Sequence, residues 1–256
     1  MTKGKIFIAF VLIGLAGFAT WLYPQYTVPI MMYHNVDYVR TPGPNAITPK
    51  NFERHMHFLK QHGYQVISLD ELVEGIKSGR PFFRKSVVIT FDDGSIDNYT
   101  QAFKILKRYD FPATIFVISD LVGRDGYVTW EQLNEMHSFD IFAGSHTKTH
   151  AYLPGTPIEK KELEIVESKK MIEDRLKRQV AYISYPSGGF DEDVKSLVKK
   201  AGYKGACTTN RGHQHLNKDI YELKRIRFSD KDDCDLYLWI KLSGYYNLFR
   251  QSKDPS

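Results

Sequence analysis

The sequence predicts an α/β protein whose parallel strands form a closed or nearly closed barrel, preceded by an apolar N-terminal segment. After residue 27, short apolar and β-branched runs alternate with helical patterns, which is typical of βα units and a parallel sheet. The strand candidates are mostly continuous apolar runs, as expected where both faces of a strand are covered. At 256 residues, the chain is long enough for one α/β domain with a continuous core.

The N-terminus has the composition of an export signal or a membrane anchor. Residues 6–23 contain no charged residue and follow two lysines, Lys3 and Lys5. A helix that spans a bilayer needs roughly 20 apolar residues, and Trp21 and Tyr23 are aromatic residues of the kind found at a membrane interface. Lysines before such a run favour an N-terminus that stays in the cytoplasm. We therefore expect a lipid bilayer to be a partner of residues 6–23.

This composition divides the chain into two parts. We expect residues 1–27 to be a membrane anchor or signal segment and residues 28–256 to be the globular domain. An uncleaved anchor is favoured because residues 16–19, Ala-Gly-Phe-Ala, lack the A-x-A spacing of a usual cleavage site. The expected location is the cell membrane, with a single pass and the domain outside the cytoplasm. The protein is secreted instead if the segment is cleaved.

Charge and cysteine content narrow the partners. The formal net charge of +5 comes from 35 basic and 30 acidic residues that are spread along the chain. Because no basic stripe forms, nucleic acid is not an expected partner. Cys207 and Cys234 are either a disulfide or two free thiols, and two cysteines alone do not decide between them. The sequence does not predict the oligomeric state.

Seven short segments are expected to form the strands of the barrel. Each is rich in apolar or β-branched residues and is followed by a turn or a helical pattern. They are residues 28–33, 65–68, 86–91, 113–118, 141–144, 180–185 and 205–209.

Helix starts between these strands carry capping signals. A side-chain oxygen at the N-cap and a glutamate or glutamine three residues later satisfy N–H groups that otherwise have no partner. The expected starts are Ser68 with Glu71, Thr129 with Gln132, Thr156 with Glu159, and Thr48 before Pro49. We also expect Gly202 to end a helix that begins near Asp191, and a final helix over residues 232–248.

The first chemical motif is Thr90-Phe91-Asp92-Asp93-Gly94. It places two adjacent carboxylates at the carboxyl end of a strand, where α/β enzymes carry their sites. Adjacent carboxylates repel unless a cation lies between them, so one can bind a metal while the other acts as a base. The alternative is an ordinary Asp-Gly turn.

The second motif is Ser145-His146-Thr147-Lys148-Thr149-His150, which follows another strand. Histidines at positions i and i+4 face the same side of a helical turn and can bind one ion. With Asp93 they form a set of three ligands that leaves coordination positions open, as a catalytic metal requires. Two chance surface histidines are the alternative.

Two further segments end strands with polar or turn residues. Residues 184–190, Ser-Tyr-Pro-Ser-Gly-Gly-Phe, form either a plain turn or a rigid loop that brings a backbone N–H to a developing oxyanion. His34, in Tyr33-His34-Asn35, is either a structural histidine or a general acid.

Together these motifs resemble the polysaccharide deacetylases of carbohydrate esterase family 4. The resemblance covers about residues 28–245 and rests on Thr90–Gly94, on Ser145–His150, and in a supporting role on the Tyr-Pro-x-Gly loop at Tyr185–Gly188. It implies a distorted (β/α) barrel of about seven strands. It also implies metal-dependent hydrolysis of acetamide groups on an N-acetylglucosamine-containing polysaccharide, which would be the substrate.

The resemblance also implies roles for individual residues. Asp93, His146 and His150 would hold a divalent metal, most often zinc, with cobalt, nickel or manganese as alternatives. Asp92 would be the base that takes a proton from the attacking water, and the N–H of Tyr185 would stabilise the oxyanion.

Two departures from the family pattern direct attention to a single branch. Many members carry an arginine where this chain has Ser184, and a late Leu-x-His motif that supplies the general acid is missing. Residues 31–35, Met-Met-Tyr-His-Asn, resemble the Met-x-Tyr-His motif of the branch that contains poly-N-acetylglucosamine deacetylases. That likeness implies that His34 is the acid.

The same departures keep two other functions open. One is a membrane-tethered glycan-binding protein with this fold and no turnover. The other is a metal-dependent hydrolase of a non-glycan amide, because fold and metal chemistry do not define the rest of the substrate.

Overall fold

The structure is a computed structural model that describes residues 3–38, 45–212 and 214–251. Nine helices are described in these ranges: α1 Lys3–Leu22, α2 Pro49–Gln61, α3 Leu69–Ser78, α4 Lys104–Tyr109, α5 Trp130–His137, α6 Ile158–Glu162, α7 Ser168–Leu176, α8 Glu192–Lys200 and α9 Asp235–Lys241. Two wider, π-type turns extend them. Asn98–Phe103 leads into α4, and Leu163–Glu167 joins α6 to α7.

Eleven strands are described in the same ranges. They are β1 Ile30–Tyr33, β2 Asn35–Val36, β3 Ala46–Ile47, β4 Gln65–Val66, β5 Ser86–Phe91, β6 Ala113–Val117, β7 Ile141–Ser145, β8 Tyr182–Ser184, β9 Gly205–Thr208, β10 Leu223–Lys224 and β11 Ile226–Arg227. Eight of them form a parallel path in the order β10-β9-β8-β7-β6-β5-β1-β11, while β4 pairs with β5, and β2 with β3.

The two ends of this path are neighbours in the sequence. Strand β10 pairs with β9 and strand β11 pairs with β1, yet only Arg225 separates them. The sheet therefore returns almost onto itself and forms a nearly closed parallel barrel of eight strands. This confirms the predicted α/β barrel. Six of these eight strands were predicted, and β10 and β11, at two residues each, are too short to give a sequence pattern; the seventh predicted strand, β4, pairs with β5 outside the path.

The predicted strands all occur, with small differences at their ends. Residues 86–91 form β5 as predicted, and β4 runs along the start of β5 with Gln65 opposite Ser86. The segments predicted at 28–33 and 180–185 are shorter, since β1 begins at Ile30 and β8 spans Tyr182–Ser184.

Three of the expected helix starts are confirmed and one is wrong. Ser68 and Thr129 each form a complete capping box, and Thr48 accepts a hydrogen bond from the N–H of Asn51. Thr156 does not cap α6, because its hydroxyl donates to the carbonyl of Tyr152 at 2.8 Å and the helix follows Pro157. A threonine hydroxyl can bond a local carbonyl as well as a helix N–H, and the motif does not distinguish the two.

Both expected helix ends near the C-terminus can be compared directly. Helix α8 begins after Asp191 and ends before Gly202, which has a positive φ of 79°, as predicted. The last helix is shorter than the predicted 232–248, because α9 ends at Lys241. Gly244, at φ 82°, packs so tightly that an added Cβ would lie 2.2 Å from the ring of Tyr26.

Two further sequence expectations concern the N-terminal anchor and the two cysteines. Within the described ranges, no helix combines the length and the apolar composition needed to cross a membrane, and the anchor expected in residues 1–27 is unconfirmed. Cys207 is buried and Cys234 is half-buried, and both are free thiols. Burial raises the pKa of the Cys207 thiol to about 12, so it is neutral.

Candidate active site

Alternate strand residues face the barrel interior and change from apolar to polar toward the carboxyl ends. One apolar cluster joins residues from across the barrel, namely Ile30, Val88, Phe116, Tyr182, Cys207 and Leu223. Because side chains alternate along a strand, the residues two and four positions further on lie above them on the same face. The polar residues among them include His34, Thr90, Asp92, Ser184 and Arg225. The parallel strands therefore bring the polar groups of separate motifs to one end of the barrel.

Asp92 lies at the centre of this polar layer. It is 1% exposed, and Arg225 holds both carboxylate oxygens, with Nη1 donating to Oδ1 at 2.7 Å and Nη2 donating to Oδ2 at 2.6 Å. Burial raises the pKa of Asp92, but the charge of Arg225 and the nearby His146 outweigh it and hold the pKa well below its usual range. Asp92 is therefore a carboxylate at neutral pH and can accept a proton.

Arg225 was not predicted from the sequence. It is fully buried, and Nη2 also donates to the Ser184 hydroxyl at 2.7 Å, the position where many family members carry an arginine. The guanidinium thus lies beside the third motif but comes from another strand. The available signal was weak, because Leu223-Lys224-Arg225-Ile226 contains two charged residues and is too brief to identify as a strand.

Asp93, His146 and His150 meet in space as the sequence predicted. Oδ1 of Asp93 lies 3.5 Å from Nε2 of His146 and 3.6 Å from Nε2 of His150. All three potential ligand atoms lie within 4.8 Å of one another. A tetrahedral zinc with ligands at about 2.0–2.1 Å separates its ligand atoms by about 3.3 Å. The spacing of the three side chains therefore fits one divalent ion.

His146 is held in the tautomer that a metal ligand needs. Its Nδ1–H donates to the carbonyl of Ser184 at 2.7 Å, which leaves the lone pair on Nε2 facing Asp93. Burial lowers the pKa of His146, although Asp92 and Asp93 oppose this. The ring is thus favoured as neutral imidazole, the form that binds metals.

The carboxylate of Asp93 is poised for a cation. Burial raises its pKa and the neighbouring Asp92 raises it further, while the two histidines lower it. Asp93 has a positive φ of 72°, so the backbone leaves the extended conformation of β5 at this residue. A bound ion would offset the desolvation of Asp93 and its repulsion from Asp92.

The histidine pair does not lie on a helix, contrary to the i,i+4 expectation. Residues 146–150 form a loop after β7, and Thr147 and His150 have positive φ values of 62° and 65°. The rings still meet, with centroids 4.8 Å apart. An i,i+4 spacing describes only sequence distance, and here backbone turns rather than a helix bring the imidazoles together.

A buried glutamate holds this loop in place. Glu164, from the π-type turn after α6, accepts hydrogen bonds from the N–H groups of Lys148 and Thr149 at 2.9 and 2.8 Å. It also accepts one from the Thr149 hydroxyl at 2.6 Å. Three donors on one buried carboxylate fix the loop between His146 and His150 and so maintain the spacing of the two rings.

His34 faces the same end of the barrel. It is 9% exposed, and its Nδ1 is buried without a hydrogen-bond partner in the described part of the chain. Burial lowers the pKa of His34, opposed by Asp92 and reinforced by Arg225. Asn98 donates to its carbonyl at 2.8 Å and steadies the backbone there. Among the described residues this ring nitrogen has no partner, and the charge of Asp92 acts on the ring.

Tyr185 follows strand β8, and its polar groups are hydrogen-bonded within the barrel. Its N–H donates to the carbonyl of Cys207 at 3.0 Å, so this donor is occupied by the barrel. Its hydroxyl donates to the carbonyl of Tyr221 at 3.1 Å, and its ring stacks on Phe190 inside the core. The oxyanion role expected for the N–H of Tyr185 stays a prediction, and in this structure that N–H is paired with the barrel.

Comparison with known proteins points to one family. The polysaccharide deacetylase family matches residues 79–206, which include Asp92, Asp93, His146 and His150 but neither His34 nor Arg225. The chain is 36% identical over 203 residues to YxkH of Bacillus subtilis (strain 168), covering 79% of this chain and 71% of that protein.

Two further relatives carry descriptive names. One is the poly-beta-1,6-N-acetyl-D-glucosamine N-deacetylase of Staphylococcus aureus (strain MSSA476), 28% identical over 200 residues, covering 72% of this chain and 68% of that protein. The other is the solved structure of the Streptococcus pyogenes deacetylase PplD in complex with acetate. It is 27% identical with a TM-score of 0.78, and the match covers 84% of this chain and 98% of that one.

Proposed function

This chain belongs to the polysaccharide deacetylase family, and we propose that it hydrolyses acetamide groups on an N-acetylglucosamine-containing polysaccharide, releasing acetate and leaving a free amine. The observation that carries the proposal is the cluster of Asp93, His146 and His150 beside the ionised Asp92 at one end of the barrel. The enzyme would be a metal-dependent hydrolase of carbon–nitrogen bonds other than peptide bonds. The name of the Staphylococcus aureus relatives supports an N-acetylglucosamine polymer as the substrate class.

We propose that Asp93, His146 and His150 hold a divalent metal. Two imidazoles and one carboxylate at near-tetrahedral spacing favour zinc, with cobalt, nickel or manganese as alternatives. When bound, such an ion supplies Lewis acidity that lowers the pKa of water and polarises a carbonyl group.

The remaining steps are proton transfers by this chain's own residues. Asp92, kept ionised by Arg225, accepts the proton of the water that attacks the acetamide carbon. His34 donates a proton to the nitrogen as the carbon–nitrogen bond breaks, which turns the leaving group into a neutral amine. Burial lowers the pKa of His34, and the neighbouring charge of Asp92 opposes this and favours the protonated ring that the donation requires.

Replacing His34 with glutamine is expected to lower kcat/KM for acetate release by roughly 10²–10⁴, because a general acid contributes about that factor. The metal content should stay the same, since the side chain of His34 is not among the three proposed ligands. Acetate release and metal analysis on the same samples measure both.

His57→Gln is the matched control, because His57 is exposed on α2. Its activity should equal that of the unchanged protein. Full activity in His34→Gln would show that another group protonates the amine.

Metal removal tests the whole proposal. Treatment with a chelator is expected to abolish acetate release, and adding Zn²⁺ or Co²⁺ should restore it, because the three ligands alone do not activate water. The substrates are poly-N-acetylglucosamine, peptidoglycan, chitin-type oligomers and a non-glycan acetamide. Acetate release by demonstrably metal-free protein would contradict the metal requirement. No release from any of them by metal-loaded protein would contradict the hydrolase function.

Glycan binding without turnover is the second candidate, and it rested on the missing arginine and the uncertain acid. Arg225 supplies a guanidinium next to Ser184, and His34 has a free ring nitrogen, so both reasons are weaker. The non-glycan acetamide in the substrate panel tests the third candidate.

We also propose that the domain works outside the cytoplasm. The proposal is supported by Lys3 and Lys5 before an uncharged run, and by the exposed aromatic side chains of Phe7 and Phe10 in α1. Cell fractionation with N-terminal sequencing of the mature protein tests it and distinguishes a retained anchor from a cleaved signal. Recovery of the protein only from the cytoplasm would contradict it.

A further inference from the structure

A cavity lined by four arginines opens beside the proposed catalytic residues. Its volume is about 250 Å³, and its wall is more polar than apolar. The lining residues are Met32, Thr209, Arg211, Arg225, Arg227 and Arg250. We refer to it below as the arginine cavity.

The arginine cavity shares a wall with the proposed active site. Arg225 lines it while its guanidinium holds Asp92. Arg227 is in register with Met32 on β1, two residues before His34, and its charge is close enough to affect the pKa of that histidine. A group bound in the cavity would therefore lie next to the residues that are proposed to cleave the acetamide.

Three of the four guanidiniums have no carboxylate partner. Arg225 is neutralised by Asp92, but Arg211, Arg227 and Arg250 form no ion pair with the residues that the structure describes. Other arginines of the described ranges, among them Arg80 and Arg124, also lack an ion pair, so the distinguishing feature of these three is that they line one cavity.

The carboxylate that is linked to Arg227 through a lysine is already paired as well. Asp232 pairs with Lys241 at 2.5 Å, and the same lysine donates to the backbone carbonyl of Arg227 at 2.8 Å. Among the described residues, the cavity therefore gathers three guanidiniums without a carboxylate partner beside Arg225, which Asp92 neutralises. Like charges held together are unfavourable unless an anion binds between them.

The chemistry of the wall selects the kind of anion. A guanidinium is a planar, permanently charged donor whose geometry matches the two oxygens of a carboxylate or a phosphate. None of the six lining residues is acidic, which argues against a cation, and none is aromatic, which argues against stacking of a neutral sugar.

We propose that the arginine cavity binds an oxyanion carried by the substrate, so that the preferred substrate is an N-acetylated glycan with a phosphate or carboxylate near the acetamide. This inference rests on the proposed deacetylase function, because it specifies the class of substrate that the same active site would accept. Phosphate and carboxylate share the chemistry that arginine recognises, and the test separates them.

The binding arm uses the full chain loaded with metal and three sugar probes in calorimetric titrations at low salt. The probes are N-acetylglucosamine 1-phosphate, N-acetylmuramic acid with its carboxylate, and neutral N-acetylglucosamine. We expect at least one anionic probe to bind about tenfold or more tightly than the neutral one, and the difference to shrink as salt rises.

Arginine variants locate the bound anion. Arg227→Gln and Arg211→Gln should each weaken binding of the anionic probe by about tenfold and leave the neutral probe unchanged. Arg80→Gln, at an exposed position after α3 and outside the cavity, is the matched control and should change neither. A repeat with metal-free protein shows whether the anion binds to the metal: binding that survives metal removal supports the cavity. Loss of anion binding when the metal is removed would overturn the proposal. An unchanged affinity for the anionic probe in both variants would also overturn it.

The kinetic arm separates failure of this inference from failure of the proposed function. Phosphate-bearing, carboxylate-bearing and neutral N-acetylated oligosaccharides are compared by kcat/KM for acetate release. A preference for the neutral oligosaccharides would overturn the inference while the deacetylase function stands. No acetate from any of them would overturn the function, and the binding arm would still decide whether the cavity takes an oxyanion.

Discussion

Replacing Asp92 with asparagine is expected to lower kcat/KM for acetate release by roughly 10³–10⁴, at the upper end of what a general base contributes. Asparagine keeps the shape of the side chain, but its amide cannot accept the proton of the attacking water. Because Asp93, His146 and His150 are unchanged, the protein should still bind its metal. Acetate release and metal content, measured on the same preparation, test both expectations.

This variant also carries a structural cost that must be separated from the chemical one. Asp92 neutralises the fully buried Arg225, and removing one partner of a buried ion pair costs about 3–5 kcal/mol. Thermal unfolding therefore accompanies the kinetics. Asp110→Asn is the matched control, because Asp110 is exposed at a positive φ of 56° that asparagine tolerates. A folded, metal-loaded Asp92→Asn protein with undiminished activity would rule out Asp92 as the base.

Replacing Arg225 with methionine should produce the second large effect. Methionine fills much of the space but leaves the carboxylate of Asp92 without its two hydrogen bonds and the Ser184 hydroxyl without its partner. The free energy of unfolding at neutral pH is expected to fall by about 3–5 kcal/mol. Without the guanidinium, burial dominates and the pKa of Asp92 should rise. The acidic limb of the pH–activity profile should move to higher pH.

The stability loss has a defined pH dependence. In the unchanged protein the pKa of Asp92 lies below its unfolded value, so its contribution to stability is present above about pH 4 and is lost as the pH falls through the folded pKa. In Arg225→Met the raised pKa reverses this, and the carboxylate destabilises the fold as the pH rises. The difference in unfolding free energy should therefore be largest near neutral pH and shrink below about pH 4. Denaturant unfolding at several pH values measures it.

A rescue experiment tests whether Arg225 acts by positioning and charging Asp92. Ser184→Arg in an Arg225→Ser background moves the guanidinium to the strand where many family members carry it. Because the two side chains touch in the structure, we expect a partial return of both activity and stability. Arg225→Lys should have lower activity and stability than the double variant, since one ammonium cannot hold both carboxylate oxygens. Unchanged activity and stability in Arg225→Met would contradict this role.

Local patterns in the sequence determined much of this molecule. The strand at Ser86–Phe91 and the capping boxes at Ser68 and Thr129 are found where they were predicted, because they depend on neighbouring residues. Parallel strands that end in polar residues also bring Asp93 and His146 to one end of the barrel, whereas the loop after β7 sets the position of His150.

The tertiary structure decided what depends on residues far apart in the chain. Arg225 and Asp92 are separated by 133 positions, and the strands beside Arg225 are too short to leave a pattern. Whether the N–H of Tyr185 is free depends on its pairing with Cys207 in the barrel. Likewise, four arginines line one cavity only when the end of the barrel assembles. Periodicity and caps are local interactions, whereas ion pairing, donor availability and cavities arise from the packing of distant segments.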